Sequence, residues 1–305
     1  MRAAPGDFRL YQGIETRTSS GRVSEQAQPD PGQRDPHLRV LLSPGLPDSI
    51  ARTAVERAHQ AYARIQSILQ APRADRPFTL VLYANPGEYD RLARLDPDLL
   101  PATRSRYDSR FRTLHLPATA ADTDWRHEWT HAILSDRSPG SPYWLHEGLA
   151  VLLEETDGLA MGPRLPRPIV AVRERVVRHV ETGGGLEKLL GDSSPGPLAG
   201  PTAGWFCAYL HARGILAPLL HEARRPAPSP DNRETSNATA PRDGVRGAPI
   251  AWPRRFKTLS PDTPRGLRTL RSDFLRWLRR GGDQRISFMR CICSFSSSLR
   301  RNWST

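Results

Sequence analysis

Cysteine is almost missing from this chain of 305 residues: Cys207, Cys291 and Cys293 are the whole complement. Three thiols build no disulfide framework, and no Cys-x-x-Cys pair is present, which removes the disulfide-stapled scaffolds and the thiolate zinc modules. This usage fits a reducing compartment without requiring one. Long apolar runs are missing too, so no stretch reads as a membrane span. The first 35 residues lack the hydrophobic core of a signal peptide, and the default expectation is a cytoplasmic location. Gly183-Gly184-Gly185 has neither a strand before it nor a Lys-Ser/Thr after it, which argues against a phosphate-cradling loop.

The positive charge is unevenly spread. Residues 225–305 hold 17 basic and 6 acidic side chains, a net +11 of the chain's +12, which leaves +1 for residues 1–224. The sequence pI near 10.5 therefore describes mainly the C-terminal portion. Composition divides the chain in the same way. Residues 1–36, rich in Gly, Ser, Gln and Pro, read as a disordered leader. Residues 38–224 carry the periodic patterns of a folded domain, and 225–263 read as a flexible linker or insertion. Residues 264–280 form a basic amphipathic helix, and 281–305 are expected to be a disordered tail.

Within the folded part, Leu38–Leu42 and Phe78–Tyr83 read as strands. The helix between them starts at Asp48, places Ile50, Ala54, Ala58, Ala61, Ile65 and Leu69 on one face, and ends at Ala71-Pro72. A β-α-β start of this kind predicts parallel strands. A helix from Asn85 to about Leu95 follows, then an irregular stretch over 102–110 and a half-buried strand over Phe111–Leu116. Later come an amphipathic helix over Ile169–Val180, a short one over Leu186–Leu190, and a long apolar helix over Thr202–Ala223. Trp205, Phe206, Tyr209 and Leu210 of that long helix make a core stripe.

The chemistry is concentrated between His127 and Glu147. His127-Glu128-Trp129-Thr130-His131 sits in a predicted helix over 123–135, capped by Asp122, Thr123 and Asp124. Two histidines four residues apart project from one helical face and can reach a single cation. Glu128 lies off their axis, which suits a general base acting on bound water instead of a ligand. After a Pro/Gly turn, Glu147 follows His131 by 16 residues on a second predicted helix and brings a carboxylate as third ligand. Two His and one Glu form a catalytic set, with one coordination position left for water or substrate.

Together, His-Glu-Trp-Thr-His at 127–131 and Trp-Leu-His-Glu-Gly-Leu-Ala at 144–150 resemble the gluzincin metallopeptidases, and more narrowly the peptidase MA-like proteins. The resemblance spans about residues 38–224 and includes the Phe-x-x-Tyr-Leu form of 206–210. It implies an α+β fold, a small sheet with a βαβ start packed on a mostly helical zincin core. It also implies one zinc per chain and a peptide or protein substrate. The activity implied is peptide-bond hydrolysis by a metal-activated water, with Glu128 as general base. The resemblance further suggests that the strand before the first motif helix, at Arg112–His115, pairs with extended substrate.

One departure bears on the second oxyanion donor. Relatives often carry a tyrosine shortly before the phenylalanine of that later helix, and Gly200–Gly204 supply none. Tyr143, His146 and Tyr209 are candidate donors, and Glu154, two turns past Glu147, is a candidate to steady a ligating imidazole. The rival reading is a polyanion-binding protein that grips nucleic acid or an anionic membrane through its basic C-terminal region, on an inactive zincin scaffold. In residues 264–280, Leu267, Leu270, Phe274, Leu275 and Leu278 face one way and Arg268, Arg271, Arg276, Arg279 and Arg280 the other. Five apolar residues on one face favour packing over phosphate contact.

Overall fold

The structure is a computed structural model that describes residues 9–10, 38–72, 74–85, 87–89, 105–138, 141–155, 167–182, 185–191, 196–223 and 264–280. The chain is α+β, with a small mixed sheet and mostly helical content. It falls into two compact units, residues 1–132 and 133–305, and the division lies inside one continuous helix.

The first unit holds the sheet. Strands β1 (Arg9–Leu10), β2 (Leu38–Leu42), β3 (Phe78–Tyr83), β4 (Arg106–Asp108) and β5 (Thr113–Pro117) pair in the order β1-β2-β3-β5-β4. The pairs β2/β3 and β3/β5 are parallel, and both outer strands run antiparallel to their neighbours. The expected β-α-β start is therefore present, with helix α1 (Asp48–Leu69) as the crossover. Its buried stripe is Ala51, Ala54, Ala58, Ala61, Ile65 and Leu69. Ala51 takes the place expected for Ile50, which is 41% exposed. Gln70 ends the helix in a left-handed conformation, φ 48°, while the Ala71 N–H bonds the Gln66 carbonyl at 2.8 Å.

Three further expectations change in this unit. The leader expected over 1–36 contributes β1; its other residues lie outside those described. Arg106–Asp108, inside the stretch read as irregular, is a strand. The strand expected over Phe111–Leu116 starts at Thr113, because Phe111, 72% exposed, and Arg112, at φ 51°, form the turn of the β4–β5 hairpin. Of the helix expected from Asn85 to Leu95, residues 87–89 are helical and 90–95 lie outside the described residues. The Asn85 side chain caps its start, accepting the Glu88 N–H at 3.1 Å.

Helix α2 (Asp122–Arg137) carries the first motif, at 127–131, and ends beyond the division. The second unit comprises α3 (Tyr143–Leu153), α4 (Arg167–Ala171), α5 (Arg173–Glu181), α6 (Gly185–Leu190), α7 (Ala199–Ala212), α8 (Leu216–Ala223) and α9 (Pro264–Arg279). The helix expected over Ile169–Val180 is two helices that meet at Val172. The long helix expected over Thr202–Ala223 is also two. Gly214, at φ 66°, turns the chain there, and the Ile215 N–H reaches back to the Leu210 carbonyl at 2.8 Å, a glycine-terminated helix end. Apolar periodicity continues through this break, so hydrophobic pattern alone reads one helix.

Helix α9 packs on α5 and α7, as its apolar face predicts. Leu270, Phe274 and Leu278 are fully buried. Phe274 meets Phe206 edge-on with ring centroids 5.3 Å apart, and Trp277 meets Trp205 at 5.8 Å. Arg271, placed by sequence on the cationic outer face, is instead half-buried. Its guanidinium donates to the Val180 carbonyl at 3.0 Å and to that of Glu181, at the C-terminal end of α5 where the helix dipole favours a cation. Arg279 pairs with Glu181, and Arg276 with Asp273 at 3.2 Å.

This packing sets an expected outcome. In chemical denaturation, Phe274→Ala should lower unfolding stability by about 3–5 kcal/mol. Arg268→Ala, on the exposed side, should stay within about 0.5 kcal/mol of the parent. Equal and negligible effects from both would show that α9 is displayed instead of packed.

Candidate metal centre

Helix α2 owes its orientation to the apolar residues within and on either side of its histidine pair. Trp125, Trp129, Ala132 and Ile133 recur at helical spacing and are buried. The Trp129 ring lies edge-on to Phe78 of β3 at 5.3 Å between centroids and 4.8 Å from the ring of Tyr62 on α1. With Trp129 turned into this core, residues two positions away on either side are rotated out of it, about 100° per residue. At the start of α2, Asp124 Oδ2 accepts the Ala121 N–H at 3.1 Å, the return arm of a capping box. Asp122, more exposed, lies 3.9 Å from Arg57, a surface pair of little energetic weight.

His127 and His131 consequently stand side by side, with ring centroids 4.8 Å apart and Nε2 atoms 3.1 Å apart. Two imidazole nitrogens aimed at each other at this range need a proton or a cation between them. Glu147, on α3, completes the group. One ligand atom from each of His127, His131 and Glu147 lies within 4.8 Å of the others, and all three side chains are half-buried. Such a group can hold a metal ion, with imidazole and carboxylate donors of the kind that suit a borderline cation.

The position of Glu147 follows from glycines on both sides of the α3–α7 contact. A Cβ on Gly148 would lie 2.4 Å from Cys207 Sγ and 2.6 Å from the Ala203 carbonyl oxygen, so only glycine allows these helices to approach so closely. A Cβ on Gly200, in the first turn of α7, would lie 3.1 Å from Glu147 Oε1. The carboxylate therefore rests against the N-terminal turn of α7, where the helix dipole favours negative charge. Cys207, the thiol beside Gly148, is fully buried, and burial pushes its pKa well above the ordinary value.

Glu128, beside His127 in sequence, is 4% exposed. Its Oε1 accepts a hydrogen bond from the Ser105 hydroxyl at 2.8 Å. Sequence reasoning missed Ser105, because it heads a strand too short to show periodicity. The β4–β5 hairpin that carries it is pinned at its turn. Asp108 accepts the Arg110 N–H at 2.9 Å and the Arg110 guanidinium at 2.9 Å. Burial opposes ionisation of Asp108, but the Arg110 contacts and the charge of Arg106 outweigh it and hold its pKa below the usual value. Arg112 donates to the Arg76 carbonyl at 2.8 Å and lies over the Phe78 ring at 4.2 Å from its centroid.

The structure sorts the remaining candidates. Arg112–His115 is not an outer strand position: β5 lies between β3 and β4, and the His115 Nδ1 shares a hydrogen bond with the Tyr83 hydroxyl at 2.7 Å. The sheet edge on this side is β4. Tyr143 begins α3 four residues before Glu147 and is 37% exposed. Burial first, and then the Glu147 charge, raise its hydroxyl pKa and keep it protonated. His146 is half-buried and diverges from Glu147 by about 100° around the helix. Glu154 caps the end of α3, half-buried, about 10 Å along the axis from Glu147. Tyr209 sits among Phe206, Phe274 and Trp277, nine residues or about 13 Å along α7 from Gly200, and so does not belong to the site. Cys291 and Cys293 lie outside the described residues.

No protein-family model matches the chain, and no curated protein matches it.

The glycine contact yields a measurable consequence. Gly148→Ala should force α3 away from α7, destabilise the fold by about 1–3 kcal/mol and weaken divalent-ion binding, because Glu147 shifts with its helix. A titration with zinc or cobalt that gives the parent affinity for this variant would show that the close approach does not set the ligand.

Proposed function

We propose that this protein is a zinc-dependent metallopeptidase of the gluzincin type, similar to the peptidase MA-like proteins. The observation that carries the reading is the convergence of His127, His131 and Glu147 within 4.8 Å, with the buried carboxylate of Glu128 between the two histidines in sequence. Three protein ligands of this kind, two nitrogens and one oxygen, fit zinc in a catalytic site. Zinc, when bound, supplies an acidified water and a Lewis acid for a carbonyl oxygen.

The chain's own groups do the rest. Glu128 accepts a proton from the attacking water and passes it to the leaving amine nitrogen. Tyr143, protonated and within the field of Glu147, is better placed than Tyr209 to donate to a developing oxyanion. An extended peptide can add to the sheet at β4, holding its backbone by main-chain hydrogen bonds while Ser105, at the head of that strand, touches Glu128. Arg271 and Arg279 of α9 are engaged by acceptors of their own unit, which reduces the cationic surface available to the rival polyanion-binding reading.

Purified protein should bind one zinc per chain and cleave casein or a quenched peptide library. Glu128→Gln should keep the metal and lose cleavage by about 100-fold or more, the scale of a general base. His131→Ala should lose the metal itself. Undiminished cleavage by Glu128→Gln would overturn the assignment. Zinc binding without cleavage of any peptide would leave a metal-binding scaffold and not an enzyme.

A further inference from the structure

We propose that Ser105 is a positioning residue, whose hydroxyl holds the Glu128 carboxylate in its working orientation. The inference rests on the peptidase reading and assigns that site a residue supplied by the sheet. The Glu128 side chain is 4% exposed, buried polar groups are held by hydrogen bonds, and Ser105 Oγ donates to its Oε1 at 2.8 Å. A glutamate has three side-chain torsions, so helix α2 alone fixes where its Cβ lies and not where its oxygens point. The donor is in turn rigidly placed. Arg106 pairs with His115 and Asp108 with Thr113, and Arg110 clamps Asp108. Arg112 ties the turn to the Arg76 carbonyl and the Phe78 ring. Phe78 also meets Trp129 of α2. One aromatic ring therefore fixes both the hairpin that supplies the hydroxyl and the helix that supplies the carboxylate.

A packing role and a positioning role make different predictions. Ser105→Ala removes the donor, whereas Ser105→Thr keeps a hydroxyl at the same carbon. In full-length, zinc-loaded protein assayed on a quenched peptide library, well below the melting temperature, Ser105→Ala should lower kcat about tenfold per bound zinc, with KM within about twofold. Ser105→Thr should recover kcat to within about threefold of the parent. A second readout does not involve activity. In the zinc-free protein, the shifts in denaturation midpoint caused by Ser105→Ala and Glu128→Ala should be non-additive in the double variant.

The inference is overturned if Ser105→Ala keeps the parent kcat, if Ser105→Thr is as impaired as Ser105→Ala, or if the two shifts simply add. Zinc-loaded parent protein that cleaves nothing would instead refute the peptidase reading, and the positioning role with it. Additive shifts alongside an active parent would refute the positioning role alone.

Discussion

Trp129 against Phe78 and Tyr62 is the contact on which the candidate site depends. A helix carrying two histidines four residues apart presents them together under any rotation about its axis, but only one rotation turns them out of the core. The burial of Trp129 selects that rotation, because an indole facing water would forfeit on the order of 2–3 kcal/mol of apolar burial. Trp125, Ala132 and Ile133 reinforce the same face. Once they are inside, His127 and His131 have a single place to go, and Glu128 is left at the margin, buried yet beside them. The residue inside the motif that carries no chemistry is therefore the one that aims it.

A second constraint acts on Glu147 through the absence of side chains. Gly148 lets α3 and α7 meet with a thiol and a backbone carbonyl where a methyl would otherwise stand, and Gly200 leaves space for the carboxylate beside the first turn of α7. Interiors packed this tightly transmit small displacements, so the depth of one helix contact governs the reach of a carboxylate oxygen.

Much of this was legible in the sequence, for identifiable reasons. The strands at Leu38–Leu42 and Phe78–Tyr83, the crossover helix between them and the two motif helices follow from runs long enough to show their period. The grouping of His127, His131 and Glu147 followed from spacing together with donor chemistry. What escaped was short or conformational. A three-residue strand has no period to read, which hid Ser105 with it. Gly214 interrupts an apolar pattern that continues on both sides, because the pattern records burial and not backbone direction. Arg271 looked like part of a solvated stripe, although a guanidinium has a stem long enough to pass an apolar surface and reach the carbonyls at a neighbouring helix end. Tyr209 matched a sequence form, but its ring belongs to an aromatic cluster completed only by a helix more than fifty residues later.

That late helix alters what counts as the foldable piece. A shortened protein ending at residue 224 would retain every proposed metal ligand and both glycine contacts, yet Phe206, Tyr209 and Trp205 would lose the rings of Phe274 and Trp277 that cover them. The last turn of α5 would lose its guanidinium stopper as well. Trimming the arginine-rich end to improve handling would thus uncover an oily strip on the very helix whose first turn steadies Glu147, exchanging a basic surface for a sticky one.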